Sequence, residues 1–68
     1  MIIYSKAGKG HEVVTENSKQ VAMEMFAKGY KFWENVGDET KIELGQSVNP
    51  EDVSDEKNYF AMSPMAGG

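Results

Sequence analysis

Sixty-eight residues allow one domain with a thin core, marginal if it stands alone. There is no cysteine and a single histidine, His11, which excludes disulfide staples, thiolate metal sites and His-rich metal clusters. The net charge is −4 and arginine, the residue best suited to bidentate contacts with phosphate and guanine, is missing, so nucleic acid is excluded as a partner.

Met1 to Val14 reads as a hairpin. Ile2, Ile3 and Tyr4 favour strand, Ala7-Gly8-Lys9-Gly10 is turn chemistry, and Glu12-Val13-Val14 resumes the strand. The opening Met-Ile-Ile-Tyr-Ser has neither the charged leader nor the long apolar stretch of a signal peptide, and no apolar run approaches the roughly 18 residues of a membrane span. Thr15 to Lys28 has helical spacing. Val21, Ala22, Met25 and Phe26 form an apolar face, widened by Met23 and Ala27. Asn17, Gln20, Glu24 and Lys28 form the polar stripe, with Glu24 and Lys28 in the favourable i,i+4 order. Thr15 or Asn17 caps the start, Asn17 and Gln20 making a capping-box-like pair. Gly29 suits the left-handed residue after the helix, with Tyr30 folding back on Met25.

Tyr30 to Glu34 is an aromatic-rich strand and Gly37-Asp38 a turn. Lys41-Ile42-Glu43-Leu44 alternates, which predicts a half-buried strand with Ile42 and Leu44 inward. Gly45 to Asn58 is polar and acidic. Within it, Asn49-Pro50-Glu51-Asp52 has the order of a helical start, and with only Val53 to anchor it one turn is expected. The order β-β-α-β-β predicts an α+β domain over residues 1–58, one helix packed across an antiparallel sheet, followed by a flexible C-terminal arm over residues 59–68. The expected core is Val21, Ala22, Met25 and Phe26 against Ile3, Val13, Phe32 and Ile42. Phe32 and Trp33 alternate, so one of them should face away from the helix.

Carboxylates are plentiful. Asp38/Glu39, Glu51/Asp52 and Asp55/Glu56 lie in polar loops with nothing apolar to push two pKa values apart, and no ordered DxDxDG loop is present. They read as solvated acids, no catalytic residue is expected, and neither a metal nor an organic cofactor is. His11 reads as a strand-edge residue. Gly8-Lys9-Gly10 reads as a tight turn, because a phosphate loop needs GxxxxGK[ST] before a helix. Residues 1–33 hold five lysines against three acids, and residues 34–68 eight acids against two lysines, so the acidic half keeps a sticky protein soluble or meets a basic site on a partner. The positive signal is an aromatic and methionine surplus over what a two-layer core absorbs. Met23, Trp33, Tyr59, Phe60, Met62 and Met65 are the expected protein-interface residues, the last four as anchors on the arm. A protein partner or self-association follows from that surplus.

Two resemblances bear on function. The stretch Tyr4-Ser-Lys-Ala-Gly-Lys-Gly-His-Glu-Val-Val, then a helix ending Ala-Lys-Gly-Tyr, resembles the hairpin-plus-helix opening of small phage-encoded head proteins and covers about the first half of the chain. It implies a non-enzymatic virion accessory or structural protein that binds a capsid or connector surface, located in the virion or the host cytoplasm. The ending Pro64-Met65-Ala66-Gly67-Gly68 resembles that of the ubiquitin-like sulfur carriers of thiamin and molybdopterin synthesis. These are β-grasp domains of similar length whose terminal glycine is activated as an adenylate and then a thiocarboxylate. That resemblance implies that Gly68 is activated and that Gly67 is its slim neighbour. The expectation is an interaction protein rather than an enzyme, with the virion reading first, the carrier second and a small acidic inhibitor of a host protein third.

Overall fold

The computed structural model describes residues 1–6 and 10–64. Strands β1 (Ile2–Lys6) and β2 (Gly10–Val14) form an antiparallel hairpin in continuous register from Ile2↔Val14 to Lys6↔Gly10. Helix α1 (Ser18–Ala27) follows, then β3 (Lys31–Asn35), β4 (Leu44–Val48), a single 3₁₀ turn (Pro50–Asp52) and β5 (Tyr59–Met62). The five strands make one mixed sheet in the order β2-β1-β5-β3-β4. The radius of gyration, 10.8 Å, is close to the ~11 Å of a folded chain this long.

The expected antiparallel sheet is therefore corrected: β1 and β5 run parallel at its centre, with Ile2↔Tyr59, Ile3↔Phe60 and Tyr4↔Ala61 in register. On its other side β5 pairs antiparallel with β3, Lys31↔Met62 to Glu34↔Tyr59. The division into a domain over residues 1–58 and an arm from residue 59 is corrected with it. Tyr59, Phe60 and Ala61 are buried, and Tyr59–Met62 is the middle strand. Four apolar residues in a row read as a loose tail when flanked by polar sequence, but a run apolar on both faces is what a central strand requires.

Ile2, Tyr59, Ala61 and Phe32 meet Ala22, Met25 and Val53 in the core, with Tyr4, Val14, Val21, Tyr30 and Val48 around them. Ile2, Tyr4 and Val14 thus face the helix. Alternation sends Ile3 and Val13 to the opposite side, against the expectation that they lie beneath it. The helix is turned as well: Ser18, Ala22 and Met25 are its buried residues, while Phe26 is 54% exposed. Val53 anchors the 3₁₀ turn as expected. The expected strand over 41–44 is not formed: 41–43 lie outside any strand and β4 begins at Leu44, which is exposed, and a register shift between Trp33 and Asn35 marks a bulge. The preceding loop is built by Asn35, which is buried. Its Oδ1 accepts the N–H of Gly37 and of Glu43, each at 3.0 Å, and its Nδ2 donates to the Asp38 carbonyl at 3.4 Å.

The helix start differs from the capping-box expectation. Asn17 is left-handed (φ 54°, ψ 40°), a conformation asparagine tolerates, and makes no side-chain cap hydrogen bond. The cap comes from across the fold: the Ser18 N–H donates to Asp55 Oδ1 at 3.0 Å. The buried Ser18, through its hydroxyl and its N–H, holds the exposed Asp55 carboxyl below the ordinary aspartate range, with the N-terminal ammonium adding to them. A carboxyl depressed by folding stabilises the folded state above its unfolded pKa of about 3.9 and loses that contribution as pH falls through the lower folded value. Asp55→Ala should therefore lower Tm at pH 7, and the gap from the parent should close as melting is repeated from pH 5 downward. A gap that stays constant to pH 2 would show that the charge of Asp55 is irrelevant.

Candidate functional site

The helix covers one face of the sheet, and among the described residues no helix covers the other, the open face. Register places a single row of directly opposed residues across that open face: Val13, Ile3, Phe60, Trp33 and Ser47, one from each strand in spatial order. Ile3 and Phe60 are buried at the centre of the row, while Val13 is exposed and Trp33 half-buried. His11, one pair along from Val13, stands edge-on to Phe60 at 5.8 Å between ring centroids and 80° between planes. Beside the apolar row lie Lys31 and Met62, paired across β3 and β5. Ile3, Ser5, His11, Val13, Lys31, Trp33, Phe60, Met62 and Ser47 make up this face by alternation, and none is an acid, in a chain with eleven.

Trp33 stands between two grooves. One, of about 350 Å³, is lined by Gly29, Lys31, Trp33, Met62, Ser63 and Pro64, where the chain leaves β5. The other, of about 330 Å³, adds Phe26, Phe32, Val48 and Asn49 to Lys31, Trp33 and Ser47. The open face therefore joins an apolar row, one lysine and the two residues, Ser63 and Pro64, that follow β5.

The expected interface residues divide accordingly. Trp33, Phe60 and Met62 are brought together on the open face, although Phe60 is too buried to act as an anchor. Tyr59 is corrected: it points into the core, where its hydroxyl accepts the Ser54 N–H at 3.1 Å and lies 3.5 Å from the Asp52 carbonyl. Met23, 50% exposed, is on the helix, away from this face. Met65, Gly67 and Gly68 lie outside the described residues. Val13, Lys31 and Pro64 were missed by the sequence reading. Val13 was assigned to the core through the parity of its strand, and no spacing rule links Pro64 to Gly29.

The carboxylates hold turns. Asp38 Oδ1 accepts the Thr40 hydroxyl at 2.8 Å, the Lys41 N–H at 2.7 Å and the Thr40 N–H at 2.9 Å, and these bonds, the Thr40 hydroxyl foremost, hold its carboxyl below the ordinary range. Both shifted acids are shifted towards the charged form, opposite to what a general acid needs. Among the described residues no three His, Asp or Glu side chains come together to hold a metal, and no helix is long and apolar enough to cross a membrane. Compared with protein-family models, curated proteins and solved structures, the chain matches none.

Proposed function

We propose that the chain is a ubiquitin-like carrier of the β-grasp kind, a substrate of other enzymes and not itself an enzyme, acting through Gly67-Gly68. The observation that carries this reading is the place of β5. A mixed sheet in the order β2-β1-β5-β3-β4, with a parallel central pair and one helix after the first hairpin, supports the β-grasp resemblance of the ending. In that arrangement the middle strand runs directly into the segment Ser63-Pro64-Met65-Ala66-Gly67-Gly68. A fold alone supports many functions, so the reading needs the site too. Here Ser63 and Pro64, which lead into the ending that resembles the sulfur carriers, line a groove with the half-buried Trp33 on a face without acids. Such a face suits an enzyme that must hold the domain while it acts on a slim terminus, where two glycines let the backbone pass through a narrow channel.

In a chain ending at Gly68, the terminal carboxylate attacks the α-phosphorus of ATP held by the partner enzyme and expels pyrophosphate. Hydrosulfide from a separate sulfide-level donor then attacks the acyl carbon of the adenylate and expels AMP, leaving the thiocarboxylate. The test is incubation of the 68-residue chain with an adenylating enzyme of the sulfur-carrier class and ATP, read by pyrophosphate exchange and by intact mass. The full chain should support exchange, and a chain lacking Gly67 and Gly68 should support none while keeping its melting temperature. Equal exchange from the two chains, or none from the full chain, would sink the proposal.

A second reading, a small virion accessory protein, keeps one specific support. Met23 is exposed on the helix, away from the open face, where a carrier has no evident use for it. The arm it relied on from Tyr59 onward is taken up by β5.

A further inference from the structure

The pairing of β1 decides which way the backbone of β2 faces. The Tyr59 N–H donates to the Met1 carbonyl at 2.8 Å, and Tyr59 lies in parallel register with Ile2. In such a ladder Tyr59 bonds to the residues on either side of Ile2. Met1, Ile3 and Ser5 therefore turn their backbone groups to β5, and Ile2, Tyr4 and Lys6 turn theirs to β2. The register Ile2↔Val14, Tyr4↔Glu12 and Lys6↔Gly10 then makes Val14, Glu12 and Gly10 the hydrogen-bonded partners of β1. His11 and Val13 point their N–H and C=O groups outward, and among the described residues no strand lies beyond β2.

A row of outward backbone groups is a template for another strand unless something blunts it. The sheet's other edge, β4, is blunted: its pairing with β3 is broken by the register shift, and Asn49-Pro50 follows it. β2 contains no lysine or proline, and it keeps register with β1 over all five residues. Its one charge, Glu12, stands opposite Tyr4, on the helix side. Val13 is 46% exposed, at the end of the apolar row whose next members, Ile3 and Phe60, are buried. Its side chain lies on the open face and its backbone groups on the open edge. An added strand therefore extends the ladder and the apolar row together.

We propose that β2 pairs antiparallel with β2 of a second copy of this chain, about a two-fold axis through Val13. A two-fold pairing must oppose outward-facing residues, which leaves centres at His11, Glu12 and Val13 within the strand. Centring on Glu12 sets two glutamates directly opposite each other, which is destabilising. Centring on His11 sends Val13 past the first residue of β2. Centring on Val13 sets Val13 against Val13, Glu12 against Val14 and His11 against Thr15, with no like charges opposed. The strand is thus its own complement. The two apolar rows meet end to end: Trp33, Phe60, Ile3 and Val13 of one copy continue into Val13, Ile3, Phe60 and Trp33 of the other, in a single sheet with five strands from each copy. The inference does not rest on the carrier reading. Trp33 stands three strands from the joint in each copy, and both open faces remain available.

The experiment is sedimentation equilibrium of the full chain from micromolar to millimolar concentration, at physiological salt to screen the repulsion between two chains of charge −4. The parent should pass from monomer to dimer within that range. Val13→Lys and Val13→Glu change an exposed side chain and should each keep a cooperative melt. Each sets like charges across the axis and should weaken dimerisation by about tenfold or more, and an equimolar mixture of the two should recover it to within about threefold of the parent. Amide exchange needs no variant. The Val13 N–H should exchange fast in dilute solution and become protected as the dimer forms, while the N–H groups of Glu12 and Val14, bonded to β1, are protected throughout. A parent that stays monomeric at millimolar concentration, a Val13 N–H that exchanges equally fast when dilute and when concentrated, or charged variants that dimerise as the parent does would overturn the inference. So would a mixture that dimerises no better than its components.

Discussion

Deletion of residues 59–68 should unfold the protein and erase its helical signal. β5 is hydrogen-bonded on both sides, to β1 and to β3, so its loss divides the sheet into two hairpins that no longer touch through a strand. Two-stranded hairpins are marginal in water. Tyr59 and Phe60 are 2% and 8% exposed, and an aromatic side chain buries about 200 Å², or ~5 kcal/mol each at ~25 cal/mol per Å². The total stability expected of a domain this size is only roughly 3–10 kcal/mol, so the two losses together match or exceed it. The Met1 carbonyl would also lose the Tyr59 N–H, which now donates to it at 2.8 Å. Far-ultraviolet circular dichroism and amide dispersion in NMR are the measurements. A truncated chain that keeps its helix and melts cooperatively would restore the view of residues 59–68 as an arm.

The hairpin, the helix with Gly29 at its end, the strand at Lys31 and the turn at Pro50 were all legible, because each rests on local chemistry: turn glycines, a 3.6-residue period, a proline after an asparagine. What was not legible depends on partners distant in sequence. Ile2 and Ile3 are chemically identical, so no pattern says which of them faces the helix, and choosing Ile3 carried Val13 to the wrong side with it. Phe26 satisfies the helical period but is left outside because the buried row runs through Ser18, Ala22 and Met25, and a serine does not announce itself as core. It is buried because Asp55 reaches its N–H from the loop before β5. β5 was misjudged because a short strand needs neighbours on both sides to declare itself, and one of those neighbours, β1, is more than fifty residues away. The candidate site suffered in the same way. Trp33 and Met62 were visible as surplus apolar residues, but the row they belong to exists only through the register of five strands.

Phe32 and Trp33, adjacent in sequence, should respond to alanine in opposite ways. Phe32 is buried in the core with Ala22, Met25 and Tyr59. Phe32→Ala should cost about 3–5 kcal/mol, the range for truncating a buried aromatic, and lower Tm by roughly 12 °C or more in so small a domain. Trp33 lies on the open face, between the groove that reaches Pro64 and the groove that reaches Val48. Trp33→Ala should cost about 1 kcal/mol of stability, the ordinary size for a substitution outside the core. Its large effect should fall on binding. Tryptophan is the residue type that most often dominates an interface, and its loss should weaken association with the adenylating enzyme proposed as partner by about 2 kcal/mol, close to thirtyfold. Thermal melts and titration calorimetry on the two variants read both effects. If Trp33→Ala unfolds the chain while Phe32→Ala spares it, the helix lies on the other face of the sheet. If Trp33→Ala is folded and binds as the parent does, the partner docks somewhere else, and the helix surface around the exposed Met23 becomes the one to test next.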